Sequence, residues 1–340
     1  MPIPDIAPPP LPDELAGYDV RVPGVDDIDA LYALGSAADK AVIGSAMITR
    51  AEIEQAIVSS TGKEDSQQRL LERDGVTISW AWIEQMTPAR LAGDIQVHPE
   101  SDRREGDALV AWGLDWFERI ARANFDDVTR PERIQLGNWC FEQDATRPAQ
   151  LSRAGYRSSR AFIRMTRDIS SGETYPEPSK EIVVRRANVD QNDPDAGDTR
   201  LVHSIVSTSF ADHYNYTTTP FEVWFRRRTD DPGFDPSLWF LAELDGKPLA
   251  AMIMNRELEE KQNAGYVHYL GVLREGRGRG LAKALLYSGF AVSRDEGRTT
   301  VKLFVDAESP TGATRLYESV GMTREQVVLE WQRWLTRDSS

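Results

Sequence analysis

Residues 270–286 read Leu270-Gly-Val-Leu-Arg-Glu-Gly-Arg-Gly-Arg-Gly-Leu-Ala-Lys-Ala-Leu-Leu286. An apolar strand-like run enters a glycine-rich turn and leaves it as a helix. That order gathers unpaired backbone N–H groups and the positive end of a helix dipole at one spot, which is an anion-binding arrangement. Gly278 and Gly280 let the chain approach a pyrophosphate with no Cβ in the way, and Arg274, Arg277, Arg279 and Lys283 add positive charge. The phosphate-loop pattern G-x-x-x-x-G-K-[ST] is absent. G-x-G-x-x-G also fails, because Gly278-Arg-Gly280 is followed three residues on by Lys283. Nucleoside triphosphate and dinucleotide readings therefore lose ground.

Outward from this stretch the pattern repeats. Asp74-Gly75 and Asp245-Gly246 are hairpin-turn signals, each followed by strand-like residues. The run ending at Val97 matches the run ending at Val272, Arg103-x-x-Gly106-x-Ala108 matches Arg277-x-x-Gly280-x-Ala282, and Gly155-Tyr156 matches Gly321-Met322. These pairs are separated by 171, 175, 174 and 166 residues in the same order, which predicts a duplicated unit with loop-length differences. Leu109, Trp112, Trp116, Phe117 and Ile120 form one helical stripe, as do Leu281, Ala284, Leu285 and Val292. Thr300–Asp306 alternates as a strand. Ser309 and Pro310 look like the start of a last short helix, and Gly321 like its left-handed end. The fold class is α/β with a mixed sheet, present twice. Residues 1–14 read as a loose Pro-rich tail and 169–179 as a linker, leaving domains at 15–168 and 180–336.

A net charge of −14 argues against nucleic acid and anionic membranes as partners. With one cysteine, Cys140, and four scattered histidines, neither an internal disulfide nor a structural metal is expected. No secretory signal or spanning apolar run is visible, so the expected location is cytoplasmic, as a monomer or homodimer.

The glycine turn resembles the acyl-CoA-binding motif of the GNAT N-acetyltransferase superfamily, [QR]-x-x-G-x-[GA], met by Arg277, Gly280 and Ala282. The strand Gly265-Tyr-Val-His-Tyr-Leu-Gly-Val272 and the segment 310–322, with Leu316-Tyr317 and a closing Gly321, resemble the family's preceding strand and last helix. Ser309 stands where Asn is usual, and Met322 where Phe is usual. Two such domains in tandem are similar to the mycothiol synthase-like actinobacterial branch of that family. The resemblance implies two GNAT domains and transfer of an acetyl group from acetyl-CoA, without a metal, by direct attack of a primary amine on a small molecule or peptide. A CoA-binding sensor or partner-binding pseudoenzyme is the alternative.

By the same resemblance, CoA contacts fall on Leu270, Gly271, Val272, Arg277, Gly278, Arg279, Gly280, Leu281, Ala282, Lys283 and Ser309. His268 stands where a general base is common, although a half-buried histidine bonded to a neighbour would look the same in sequence. Tyr317 aligns with the general acid toward the departing thiolate, or is a core aromatic. Alternation would put Tyr266, His268, Leu270 and Val272 on one face, and Gly271 suggests a bulge that frees an N–H for the oxyanion. Asp212, His213 and Tyr214, with Tyr266, are the candidate acceptor contacts. In the first copy Asp102, Glu105 and Asp107 surround the equivalent loop, Gly93 replaces His268, and Leu151 replaces Tyr317. That copy is expected to be degenerate and structural.

Overall fold

The computed structural model describes residues 3–60, 66–127, 131–211, 218–231, 233–256, 263–309 and 312–337. These form two compact units, 1–161 with 328–340, and 162–327.

The first unit runs β1 (Asp19–Arg21), α1 (Ile28–Ile43), α2 (Arg50–Ser60), β2 (Ser66–Arg73), β3 (Val76–Thr87), β4 (Arg90–Val97), α3 (Arg103–Ala123), β5 (Arg133–Phe141), α4 (Arg147–Arg153) and the start of β6 (Arg157–Asp168). The second runs from the rest of β6 through β7 (Ile182–Arg186), α5 (Thr199–Phe210), α6 (Phe221–Thr229), β8 (Trp239–Leu244), β9 (Lys247–Arg256), β10 (Ala264–Val272), α7 (Leu281–Asp295), β11 (Thr300–Asp306), α8 (Ala313–Glu318) and into β12 (Thr323–Thr336). Strand order is β1-β2-β3-β4-β5-β12 in the first and β7-β8-β9-β10-β11-β6 in the second. The topologies coincide, with the last strand of each sheet supplied by the other half of the sequence. Val328–Thr336 pairs with β5, and Phe162–Asp168 with β11. The stretch 169–179 lies inside the second unit rather than between the two.

Local chemistry accounts for the shared elements. Asp74-Gly75 and Asp245-Gly246 all take positive φ, as a type I′ hairpin turn requires, and join β2 to β3 and β8 to β9. The stripe on α3 is buried, with Trp116 and Phe117 at 0% and 1% exposure. Burial of side chains of this size contributes roughly 1.5–3 kcal/mol each.

Residues 3–15 are not a loose tail. Ile3 and Leu15 are buried in the first unit's core, and the Trp112 and Trp116 indole N–H groups donate to the Pro9 and Ile6 carbonyls at 3.0 and 2.9 Å. Prolines lacking N–H donors leave residues 3–12 without regular structure ahead of a single 3-10 turn at Asp13–Leu15, so side chains of α3 rather than a sheet neighbour satisfy the Ile6 and Pro9 carbonyls.

Candidate active site

β10 delivers the chain to the glycine loop, and both of its edges are irregular. It pairs in parallel with β11 only at Ala264–Thr300, Gly265–Val301 and Tyr266–Lys302, after which the two strands part. Against β9 the register slips between Val267–Met254 and Tyr269–Ile253, leaving His268 as the extra residue of a β-bulge. The bulge ends the alternation expected from sequence. Leu270 and Val272 join Val267 in the cluster with α7, whereas Tyr269 joins the cluster with α5 and α6. Gly271 is not the bulge. A Cβ there would stand 3.0 Å from the Ser209 Cβ and 3.4 Å from the Val206 Cα, so this glycine lets β10 approach α5.

His268 is half-buried, its ring 6.0 Å from Tyr266 and 4.6 Å from Tyr269. The Arg228 guanidinium on α6 donates through Nη1 to its Nε2. Burial first, and the Arg228 charge second, push the imidazole pKa down to about 3. A ring that takes a proton only near pH 3 is a poor fit to the general-base role expected for His268. In this setting it is a neutral hydrogen-bond acceptor.

Beyond β10 the chain turns through Arg274–Gly276 and enters α7 with Gly278 and Gly280 at φ 73° and 90°. Left-handed backbone of this kind suits glycine and is strained for other residues. Among the described residues no side chain caps α7, and Ala284 N–H donates to the Gly280 carbonyl, so the first-turn N–H groups of Leu281, Ala282 and Lys283 have no intrahelical acceptor. Arg279 and Lys283 are exposed there, and Arg277 Nε ties the loop to the Val272 carbonyl at 3.2 Å. Ser309 does not begin the last helix. α8 starts at Ala313 behind Gly312, and the Ser309 N–H donates to the Asp306 carbonyl in a turn.

Tyr317 on α8 is 8% exposed and lies in the same apolar cluster as Leu270 and Val272, with burial pushing its phenol up to about 12. Gly321 ends α8 with φ 87°, and Met322 N–H donates back to the Tyr317 carbonyl at 3.1 Å. Tyr266 is half-buried near His268. Asp212, His213 and Tyr214 lie outside the described residues. Arg228 was not among the residues expected from sequence. The run Arg226-Arg227-Arg228 in so acidic a chain was the available signal.

The first unit shows what each feature of the second does. β4 and β5 also pair at only three positions, from Arg90–Gln135 to Ala92–Gly137. Here, however, Asn138 Nδ2 donates to the Gly93 carbonyl at 2.8 Å and Arg147 Nη2 to the Ile95 carbonyl at 2.6 Å, so side chains occupy the gap. Register with β3 runs unbroken from Leu91 to Val97, without a bulge. The Asp102 carboxylate caps α3 by accepting from Glu105 N–H at 2.9 Å, and Glu105 in turn accepts from the Tyr18 hydroxyl at 2.6 Å. Anions of the chain itself thus fill the helix start. Leu151 occupies the place of Tyr317, for Tyr156 N–H donates to its carbonyl at 3.0 Å across Gly155.

A mixed α/β unit present twice, with a parted strand in each copy and, in the second, a bulge and a glycine-lined helix start, defines a tandem protein of the acyl-CoA N-acyltransferase fold. Residues 202–322 match the model of the acetyltransferase (GNAT) family. Mycothiol acetyltransferase of Thermobispora bispora is 30% identical over 271 residues, 78% of this chain and 83% of the relative. The enzyme of the same name from Salinispora arenicola is 31% identical over 267 residues, 76% and 79% of the two chains. Among solved structures, a GCN5-related N-acetyltransferase from Sphaerobacter thermophilus superposes with a TM-score of 0.76 at 24% identity, covering 96% of this chain and 98% of that one. A tandem GNAT protein from the clavulanic acid biosynthesis pathway gives 0.66 at 14% identity, covering 95% and 99%. The chain belongs to the GNAT acetyltransferase family and is an acetyl-CoA-dependent acyltransferase.

Proposed function

We propose that the second unit transfers the acetyl group of acetyl-CoA to a primary amine of a small molecule or peptide by direct attack within a ternary complex. The observation that carries this is the contrast within one chain. β10 parts from β11 after Tyr266 and the Gly280 start of α7 has no side-chain cap among the described residues, while the β4/β5 gap and the α3 start are closed by Asn138, Arg147 and Asp102.

In this reading the pyrophosphate rests on the N–H groups of Leu281, Ala282 and Lys283, with Arg279 and Lys283 as counter-charges, and Ser309 lies along the same cleft. The pantetheine arm pairs with the free edge of β10 at Leu270–Val272, as an added strand would. A backbone N–H released at the bulge faces the thioester oxygen and stabilises the oxyanion. Tyr317, kept protonated by burial, donates to the departing thiolate. The ammonium proton leaves through water, because His268 is a neutral acceptor for Arg228. The segment carrying Asp212, His213 and Tyr214 contributes to the acceptor side together with Tyr266. The first unit is structural. Release of free CoA thiol from acetyl-CoA across a panel of amines tests the reading. A protein that is stabilised by acetyl-CoA yet releases thiol with none of them is a sensor instead.

A further inference from the structure

The last turn of α6 carries three arginines. Arg226 and Arg227 are exposed, whereas Arg228 is half-buried against β10. Its Nη1 donates to His268, its guanidinium carbon lies 5.7 Å from the centre of the Tyr269 ring, and its Nε is buried without a hydrogen-bond partner. Among the described residues no carboxylate pairs with it. Other shielded arginines of the same unit do have one, with Arg164 on Glu325, Arg167 on Glu173 and Arg298 on Glu296.

A neutral imidazole is a dipole and not a counter-charge, so it does not offset the desolvation of a guanidinium. Most donors of this planar fork remain unengaged, and a fork of this shape matches an oxyanion. Arg228 abuts the bulge in the middle of β10, whereas the α7 start that suits the CoA phosphates lies past the Val272 end of the strand and beyond the glycine turn. An anion held by Arg228 therefore belongs to the acceptor.

We propose that Arg228 binds an oxyanion carried by the acceptor, so that the substrates are amines with a carboxylate or phosphate close to the reacting nitrogen. The inference rests on the acetyl-transfer reading above. It runs against a neutral sugar-like amine and against a cation attracted by the acidic surface. His268 aims the guanidinium, and its neutrality avoids repulsion of the charge it orients.

Matched acceptor pairs test this: an amino acid against its carboxamide, and an aminoalkyl phosphate against the corresponding amino alcohol, with thiol release as readout. The wild type should favour the anionic member of at least one pair by about 10- to 100-fold in kcat/KM, and the favoured pair identifies the oxyanion. Arg228→Met should bring that ratio to within about threefold, with Arg228→Lys between the two. An unchanged acetyl-CoA KM and acetyl-CoA-induced Tm shift would show that the variant site is folded. Equal use of both members by the wild type, or preference retained in Arg228→Met, overturns the proposal. Should Arg228→Met not fold, acetate and inorganic phosphate must compete with the amine and not with acetyl-CoA in the wild type. Failure to do so also overturns it. If no amine releases thiol, the acetyl-transfer reading has failed. Calorimetric binding of the amino acid but not its carboxamide then still decides for or against Arg228.

Discussion

Arg228 Nη1 donates to His268 Nε2 across 40 residues of sequence, tying the last turn of α6 to the bulge of β10. The pair inverts the usual expectation for a histidine beside an acyl-transfer site, since the ring is held neutral and its lone pair is already used.

The consequence for pH dependence has a definite sign. The unfolded chain binds a proton at this ring below about pH 6.5, and the folded chain only near pH 3. The stability that His268 contributes is therefore complete above the unfolded value and lost as pH falls through the window between them. NMR titration should find a ring signal that stays flat from about pH 8 to pH 5. Arg228→Met should raise its midpoint. His268→Gln, which can still accept from Arg228, should keep turnover within roughly tenfold, since loss of a true general base costs more. A midpoint near the ordinary value in the wild type would return His268 to the role of base.

Tyr317→Phe deletes one hydroxyl from the cluster containing Leu270 and Val272. Turnover should fall by about 10²-fold, with the acetyl-CoA KM changed far less. A phenol pushed up to about 12 stays protonated through the usual assay range, so no alkaline limb should trace to it. Unchanged turnover in steady-state assays would make Tyr317 a packing residue.

Acetyl-CoA should bind once per chain. Asn138 and Arg147 occupy the β4/β5 gap, and Asp102 caps α3, so the first unit offers neither a free strand edge nor a free helix start. Isothermal titration should give a stoichiometry near one. Two equivalent sites would show that these side chains move aside.

Removal of residues 1–11 should destabilise the first unit by several kcal/mol. It exposes the apolar face that Ile3 covers and leaves the Trp112 and Trp116 indoles without their carbonyl partners. Urea denaturation followed by tryptophan fluorescence measures this, and an unchanged midpoint would mean that the segment only lies on the surface.

What the sequence made legible was local. The Asp-Gly turns, the α3 stripe and the glycine loop each depend on residues a few positions apart, and each forms where expected. The bulge at His268 depends on register against β9, which β10 alone does not encode, so strict alternation misplaced Leu270 and Val272. Exchange of β6 and β12 between the sheets is likewise a pairing choice made far along the chain. The segment 3–12 has neither a helical nor a strand period, because its prolines suit neither, and only the partners on α3 reveal that it is packed. Arg228 stood in plain sight in a triple-arginine run. Its importance came from which of the three was turned inward.

Two matched substitutions locate acetyl transfer in one unit or the other. Gly280→Glu places a carboxylate and a strained left-handed residue at the α7 start, and Gly106→Glu places the same carboxylate at the first turn of α3. CoA thiol release should persist in Gly106→Glu at a rate close to wild type and vanish in Gly280→Glu, together with the acetyl-CoA-induced rise in Tm. Thiol release that survives Gly280→Glu and is lost in Gly106→Glu would place the chemistry in the first unit and rule out acetyl transfer at the α7 start.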